Sequence, residues 1–345
     1  MANRELVLLA NEFSNQTVNG WFMSEKLDGQ RAIWLPHTKG KSVGEISFAN
    51  RAKDARDHVA TGLWSRYGKV IHAPKWWLDN FPPYPLDGEL YIKRGAFQLV
   101  SSAIKKLPEN RKDYEWKEVK YMAFDIPTLD AFYLQGKINN SNYKYYFDGT
   151  RQGPPDVVFD NFEKVHQYLV QQWDNNWTRA NCPIVPHEQR QLPFNTITAK
   201  EEYTAFYNEI IENGGEGVVF RHYNQLWEPK RVKLLLKMKP VNDSEGTIIG
   251  FTAGRDRLIG KLGALIIDWQ GKEFKLSGFT DLERTLLSPF NQMEPGVSRI
   301  GHVDEQLSFS PTFKIGDKIT FQYRELSDDG IPKEARFYRP ANHID

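Results

Sequence analysis

Five short stretches hold the residues whose types and spacing could do chemistry. Lys26-Leu27-Asp28-Gly29-Gln30-Arg31 comes first. A lysine at a strand end, beside a tight turn, can be held at a fixed point over a cleft, where its neutral amine would be a nucleophile. Asp87-Gly88-Glu89-Leu90-Tyr91 puts two carboxylates two residues apart, hence on one face of a strand. Such a pair can take a ribose hydroxyl or a hydrated Mg²⁺ ion. Phe124-Asp125 ends another strand with a ring that could stack on a purine, and Glu216-Gly217-Val218-Val219 sets an acid at a strand start. In Leu234-Leu235-Leu236-Lys237-Met238-Lys239-Pro240, Lys237 and Lys239 share one face of an otherwise apolar strand. Residues 230–239 hold five basic and no acidic side chains. A buried ammonium is costly without an anionic partner, and phosphates would serve. Each stretch alone has an ordinary reading: Asp-Gly makes hairpins, alternating acids line a strand's polar face, and a charge run is usually a solvated face.

The elements that would position these groups follow from pattern. Residues 21–25 and 31–35 read as two strands of one hairpin, turned by Asp28-Gly29. Residues 51–64 read as a surface helix and 74–85 as an irregular stretch rich in Trp and Pro. Strands are expected at 86–92, 119–124, 182–185, 217–221 and 232–237. Helical spacing marks 161–173. Thr198-Ala199-Lys200-Glu201 reads as a capping box opening a helix that stops at Asn213-Gly214-Gly215. Residues 127–160 are loop-like. After Pro240 short strands recur with glycine turns at 244–252, 262–269, 273–277, 317–324 and 335–338, the spacing of a small barrel. The expected division is an α+β domain over 1–240 and an all-β domain over 241–345.

Composition narrows the classes. At 345 residues, two domains are expected. A single cysteine, Cys182, excludes an intrachain disulfide and any multi-cysteine zinc site. No apolar run approaches the ~18 residues that a membrane span needs, and the N-terminal run is too short for a secretory signal. A net charge of +1 excludes a protein that coats nucleic acid, though not a local basic groove. Ten tryptophans fit either core packing or stacking on bases; composition alone favours packing.

The order of the five stretches, followed by a small β-rich domain, resembles the covalent nucleotidyltransferase superfamily. Within it the chain resembles a minimal two-domain ATP-dependent DNA ligase of the viral or phage kind over residues 5–345: an α+β nucleotidyltransferase (adenylation) domain, then an all-β OB-fold barrel. The resemblance implies that Lys26 attacks the α-phosphate of ATP and carries AMP. Arg31, Lys237 and Lys239 would neutralise phosphate charge, and Asp28 would hold the lysine or assist a metal. Glu25 would lie at the adenine through its main chain, Phe124 would stack on the base and Glu89 would contact the ribose. Glu216, then Asp87, would bind Mg²⁺ or Mn²⁺. Arg51 would join the nucleotide contacts. Arg339, with Arg336 as rival, would orient pyrophosphate. Residues 253–261 would be a reduced DNA clamp or a turn. The implied partner is nicked double-stranded DNA, met by a cytoplasmic monomer with no membrane attachment. An RNA ligase, a capping guanylyltransferase or a non-catalytic OB-type DNA-binding module are the alternatives.

Overall fold

The protein is described by a computed structural model over residues 6–49, 58–127, 146–147, 150–151, 160–178, 181–286 and 313–341. It divides into two compact units, Met1–Met238 and Lys239–Asp345. The first unit is built on two five-stranded sheets. One orders its strands Leu9–Glu12, Arg231–Met238, Val218–Arg221, Phe22–Glu25 and Arg190–Gln191. The other orders Leu63–Ser65, Gln30–Trp34, Leu86–Tyr91, Lys120–Asp125 and Ile184–Pro186.

Three apolar layers hold these sheets. Helix Thr196–Glu212 lays Ala199, Tyr203 and Ile210 against Met23, Val218, Phe220 and Leu236 of the first sheet. Helices Phe97–Ile104 and Phe162–Gln172 bring Val100, Val165 and Leu169 to Leu86, Leu90 and Tyr121 of the second. Between the sheets pack Leu8, Ile33, Leu35, Trp64, Val232 and Leu235. The strand Gln30–Trp34 is thus covered on both faces. That is why Ala32-Ile33-Trp34-Leu35 reads as an unbroken apolar run rather than an alternating one. Trp34, Trp64, Trp77, Trp116, Trp177, Trp227 and Trp269 are all buried. The tryptophan content is therefore mainly packing, each large apolar side chain stabilising the fold by roughly 1.5–3 kcal/mol on burial.

The expected hairpin is not formed. Phe22–Glu25 pairs with Val218–Arg221 and Arg190–Gln191, whereas Gln30–Trp34 pairs with Leu63–Ser65 and Leu86–Tyr91. Residues 26–29 carry the chain from one sheet to the other. Gly29 is required there for close approach, not for a positive φ. A Cβ on it would lie 2.3 Å from the Leu90 carbonyl oxygen and 2.8 Å from Glu89 Cγ.

Other elements also differ from expectation. Leu63 and Trp64 lie in a core strand, not a surface helix, and residues 50–57, with Arg51, fall outside the described residues. The stretch 74–85 includes a helical turn, Lys75–Leu78. The cap of helix Thr196–Glu212 is Asn195, whose side chain accepts from the Ile197 and Thr198 amides. An asparagine caps at least as well as a threonine, so the helix starts earlier than the Thr198 box suggests. The insertion-like stretch at 128–160 falls largely outside the described residues.

The second unit is built on an antiparallel sheet ordered Lys272–Leu276, Leu262–Trp269, Asn242–Ala253, Lys318–Tyr323 and Arg336–Pro340, with a small two-stranded sheet of Glu325–Leu326 and Pro332–Lys333 beside it in sequence. Its core is Ile248, Leu262, Leu265, Ile267, Leu276, Ile319 and Phe321. The two edges meet through one bridge, Ser277 to Arg336, with the Phe337 amide donating to the Ser277 carbonyl at 2.7 Å. Among the described residues one bridge rather than a longer ladder joins these edges, so no closed barrel is seen among them. Residues 253–261 fold back as a compact turn in which the Gly254 amide donates to the Lys261 carbonyl at 2.9 Å.

The crossing at Gly29 gives a direct expectation. Gly29→Ala should cost about 1–3 kcal/mol of folding stability, the usual penalty of forcing atoms into a filled site. Urea denaturation checks it; an unchanged midpoint would contradict the close approach.

Candidate active site

The chain leaves the first sheet at Glu25 and places Lys26 at the crossing. The Lys26 amide donates to the Gly217 carbonyl at 2.8 Å. Its ammonium pairs with the Glu216 carboxylate. Glu216 arrives there because helix Thr196–Glu212 ends in a glycine stop. The Gly214 amide returns to the Ile211 carbonyl and that of Gly215 to Ile210, with Gly214 at φ +74°. This closure satisfies the last helical carbonyls. Gly217, at φ +141°, then opens the strand Val218–Arg221.

The second sheet supplies a charged floor. Arg31 donates from Nε and Nη2 to the two oxygens of Asp87 at 2.6 and 2.7 Å. The Trp227 indole N–H also donates to Asp87, at 2.6 Å. Asp125 is the cross-strand neighbour of Asp87 and meets Arg221 of the first sheet at 2.5 Å. The Arg221 guanidinium also lies 3.8 Å from the centre of the Phe162 ring. Burial raises the Asp125 carboxyl above its ordinary range, with Arg221 opposing, and burial lowers Arg221, with Asp125 opposing. Phe124 lies under Arg31, whose Cζ is 4.4 Å from the ring centre. Glu89, two residues from Asp87 on the same strand, is pushed up to about 7 by burial, against the pull of Arg31 and Lys26.

Lys26, Arg31, Asp87, Glu89, Phe124 and Glu216 thus come together in the first unit. Lys237 stands one strand further along, cross-strand to Val219, itself cross-strand to Ser24, and pairs with Glu12 at 3.0 Å. Asp28 is half-buried in the crossing. Lys239 and Arg339 belong to the second unit. Lys239 pairs there with Glu334 at 3.2 Å and its carbonyl accepts from Arg324 at 3.0 Å. Arg339 lies in the strand Arg336–Pro340 with the more exposed Arg336.

Four side chains had no signal in the sequence. Trp227 and Arg221 complete the floor, Arg94 grips Glu25 through both carboxylate oxygens, and His187 contacts the Glu25 carbonyl at 2.8 Å. Their partners lie 140, 96, 69 and 162 residues away along the chain, beyond any local pattern.

Among the described residues no three His, Cys, Asp or Glu side chains converge as a metal site. Both Asp87 oxygens are engaged by Arg31, so Glu216 is the better placed carboxylate for a hard cation. A cation carried mainly by nucleotide phosphates needs only one or two protein carboxylates.

The Glu89 shift fixes a sign. Its folded value, about 7, lies above the ordinary 4.5. The folded state then holds a proton that the unfolded chain has lost, and stability falls as pH rises from about 4.5 to 7. Glu89→Gln, which cannot ionise, should gain in melting temperature over the parent between pH 5 and pH 8. A gap that stays constant over that range would contradict the shift.

Comparison with known proteins agrees with this layout. Residues 253–340 match the DNA ligase OB-like domain model. A DNA ligase of Haemophilus influenzae is 27% identical over 339 residues, spanning 98% of this chain and 92% of the relative. A DNA ligase of Thermococcus onnurineus is 33% identical over 172 residues, 43% of this chain and 30% of that protein. The solved structure of a Lig E DNA ligase superposes with a TM-score of 0.65 at 23% identity, covering 97% of this chain and 98% of its own. The chain thus shares the fold of a Lig E DNA ligase, carries an OB-like match in its second unit, and is similar to a DNA ligase over nearly its whole length.

Proposed function

We propose that the chain seals 5′-phosphate/3′-hydroxyl nicks in duplex DNA at the expense of ATP, through AMP carried on Lys26. The observation that carries this reading is the Lys26 amine held at the crossing of two sheets, in contact with the Glu216 carboxylate and near Arg31 and Glu89. An ammonium is not a nucleophile. The positive charge of Arg31 and of a bound cation would favour loss of its proton to solvent, and the neutral amine then attacks the α-phosphorus. The bond to the β-phosphate oxygen breaks and pyrophosphate leaves. AMP then passes to the 5′-phosphate of the nick. The 3′-hydroxyl attacks that phosphate, AMP departs, and one phosphodiester is formed.

The geometry supports the following proposed roles. Phe124 offers a half-buried ring to the base, and Glu89, partly protonated near neutral pH, can accept or donate to a ribose hydroxyl. Arg31, anchored by Asp87, is rigid enough to face a phosphate without rearranging. A divalent cation, Mg²⁺ or Mn²⁺, would be held by Glu216 and would supply charge neutralisation on the phosphates. Lys237 would add to it from the first unit. Lys239, Arg51 and Arg339 are proposed as further phosphate contacts, and the protein is expected to act as a monomer. Among the described residues no helix is long and apolar enough to cross a membrane.

The test is a sealing assay on nicked duplex DNA. ATP with Mg²⁺ should support joining, whereas NAD, GTP or EDTA should not. Lys26→Ala should not seal from ATP but should still join a chemically pre-adenylated nick. Glu216→Ala should lose about 100-fold or more, the usual scale for removing one preorganised charge from a phosphoryl-transfer site. GTP-dependent labelling would favour the guanylyltransferase alternative, and joining restricted to RNA ends would favour an RNA ligase.

A further inference from the structure

We propose that Arg94 is a positioning residue for Lys26, acting through Glu25. The inference rests on the ligase reading and names a side chain that the reading does not use. Glu25 is the last residue of the strand Phe22–Glu25, so any tilt of it moves Lys26 directly. Its carboxylate is gripped at both oxygens by one guanidinium: Arg94 Nε to Oε1 at 2.7 Å and Nη2 to Oε2 at 2.9 Å. A planar fork of this kind fixes direction as well as distance.

Arg94 follows the strand Leu86–Tyr91 of the second sheet, whereas Glu25 belongs to the first. The pair therefore ties the sheets together beside the crossing that holds Lys26. It also reaches the segment that delivers Glu216. Arg94 Nη1 points at the Asn213 carbonyl at 3.5 Å, and a Cβ on Gly215 would come within 3.0 Å of Glu25 Oε1. One guanidinium thus bonds to the residue before Lys26 and reaches the Asn213 carbonyl, three residues before Glu216. From the other side, His187 Nε2 donates to the Glu25 carbonyl at 2.8 Å, since a carbonyl can only accept.

A purely structural role would be a poor explanation of this pair. The side chains are 35% and 20% exposed, and ion pairs so open to water stabilise a fold little. Its position at the Lys26 joint is what gives it weight, because a displacement of about 1 Å at a reacting group can cost on the order of 100-fold in rate.

The experiment measures self-adenylation over a range of ATP concentrations, sealing of a pre-adenylated nick, and melting temperature. The variants are Arg94→Ala, Arg94→Lys, Glu25→Gln, the Glu25→Gln/Arg94→Ala double variant, and Lys106→Ala as a control. Lys106 pairs with Glu115 at 2.5 Å with 23% exposure on each side and no contact with Glu25. Arg94→Ala should lower the maximal self-adenylation rate about tenfold or more, with little change in half-saturating ATP, in line with a misplaced nucleophile. Arg94→Lys, which keeps charge but loses the fork, should be restored only in part. Pre-adenylated sealing and melting temperature should match the parent, and the double variant should be no slower than Arg94→Ala. Arg94→Ala behaving as Lys106→Ala does, equal losses in both assays, or a raised half-saturating ATP with an intact maximal rate would each overturn the proposal. A parent that forms no AMP adduct would instead overturn the ligase reading itself.

Discussion

Charges placed between two sheets must find partners, and this constraint organises the first unit. Asp87 and Asp125 are almost wholly buried. An isolated carboxylate there would cost several kcal/mol or more. Each is met by a guanidinium, Asp87 by Arg31 and Asp125 by Arg221. The second pair joins strands of different sheets, so it fixes their separation as well as neutralising charge. Removing one partner would leave a buried charge uncompensated, typically a loss of about 3–5 kcal/mol. The floor is therefore held by paired charges, the preorganisation that the proposed phosphoryl transfer would need.

On that floor the crossing at residues 26–29 does the placing. A hairpin would have turned Lys26 back along its own sheet. The crossing instead sets the lysine at the seam, between Glu216 from the first sheet and Arg31 and Glu89 from the second. Gly29 makes this possible by admitting the Leu90 carbonyl where any Cβ would collide. The buried Arg221–Asp125 pair spans the seam and holds the two sheets in register, and the more open Arg94–Glu25 pair lies beside the crossing. Packing, charge pairing and reactivity are thus properties of one geometry.

Much of this was legible in the sequence, and the failures have physical causes. Lys26, Arg31, Asp87, Glu89, Phe124 and Glu216 each had an ordinary reading alone; the order of the five stretches along the chain singled them out. The sheet assignment was not. Asp28-Gly29 carries a strong local hairpin signal, but strand partners are decided by segments about 190 residues away, where Val218–Arg221 pairs with Phe22–Glu25. The Thr198 box was outbid by Asn195 three residues earlier, a competition between two good caps. Lys237 and Lys239 look like one pair by spacing. The strand ends at Met238, however, and Lys239 is held by Glu334 and Arg324 in the second unit. Arg94 and Trp227 carry no motif; only their folded partners identify them.

The central claim is that the crossing makes Lys26 the residue that carries AMP. Its most direct test is peptide mapping by mass spectrometry after incubation with ATP and Mg²⁺. The account predicts adenylate on the peptide containing Lys26, discharged when nicked duplex DNA is added. Adenylate on another residue, such as Lys237, or a stable adduct that nicked DNA does not remove, would contradict it.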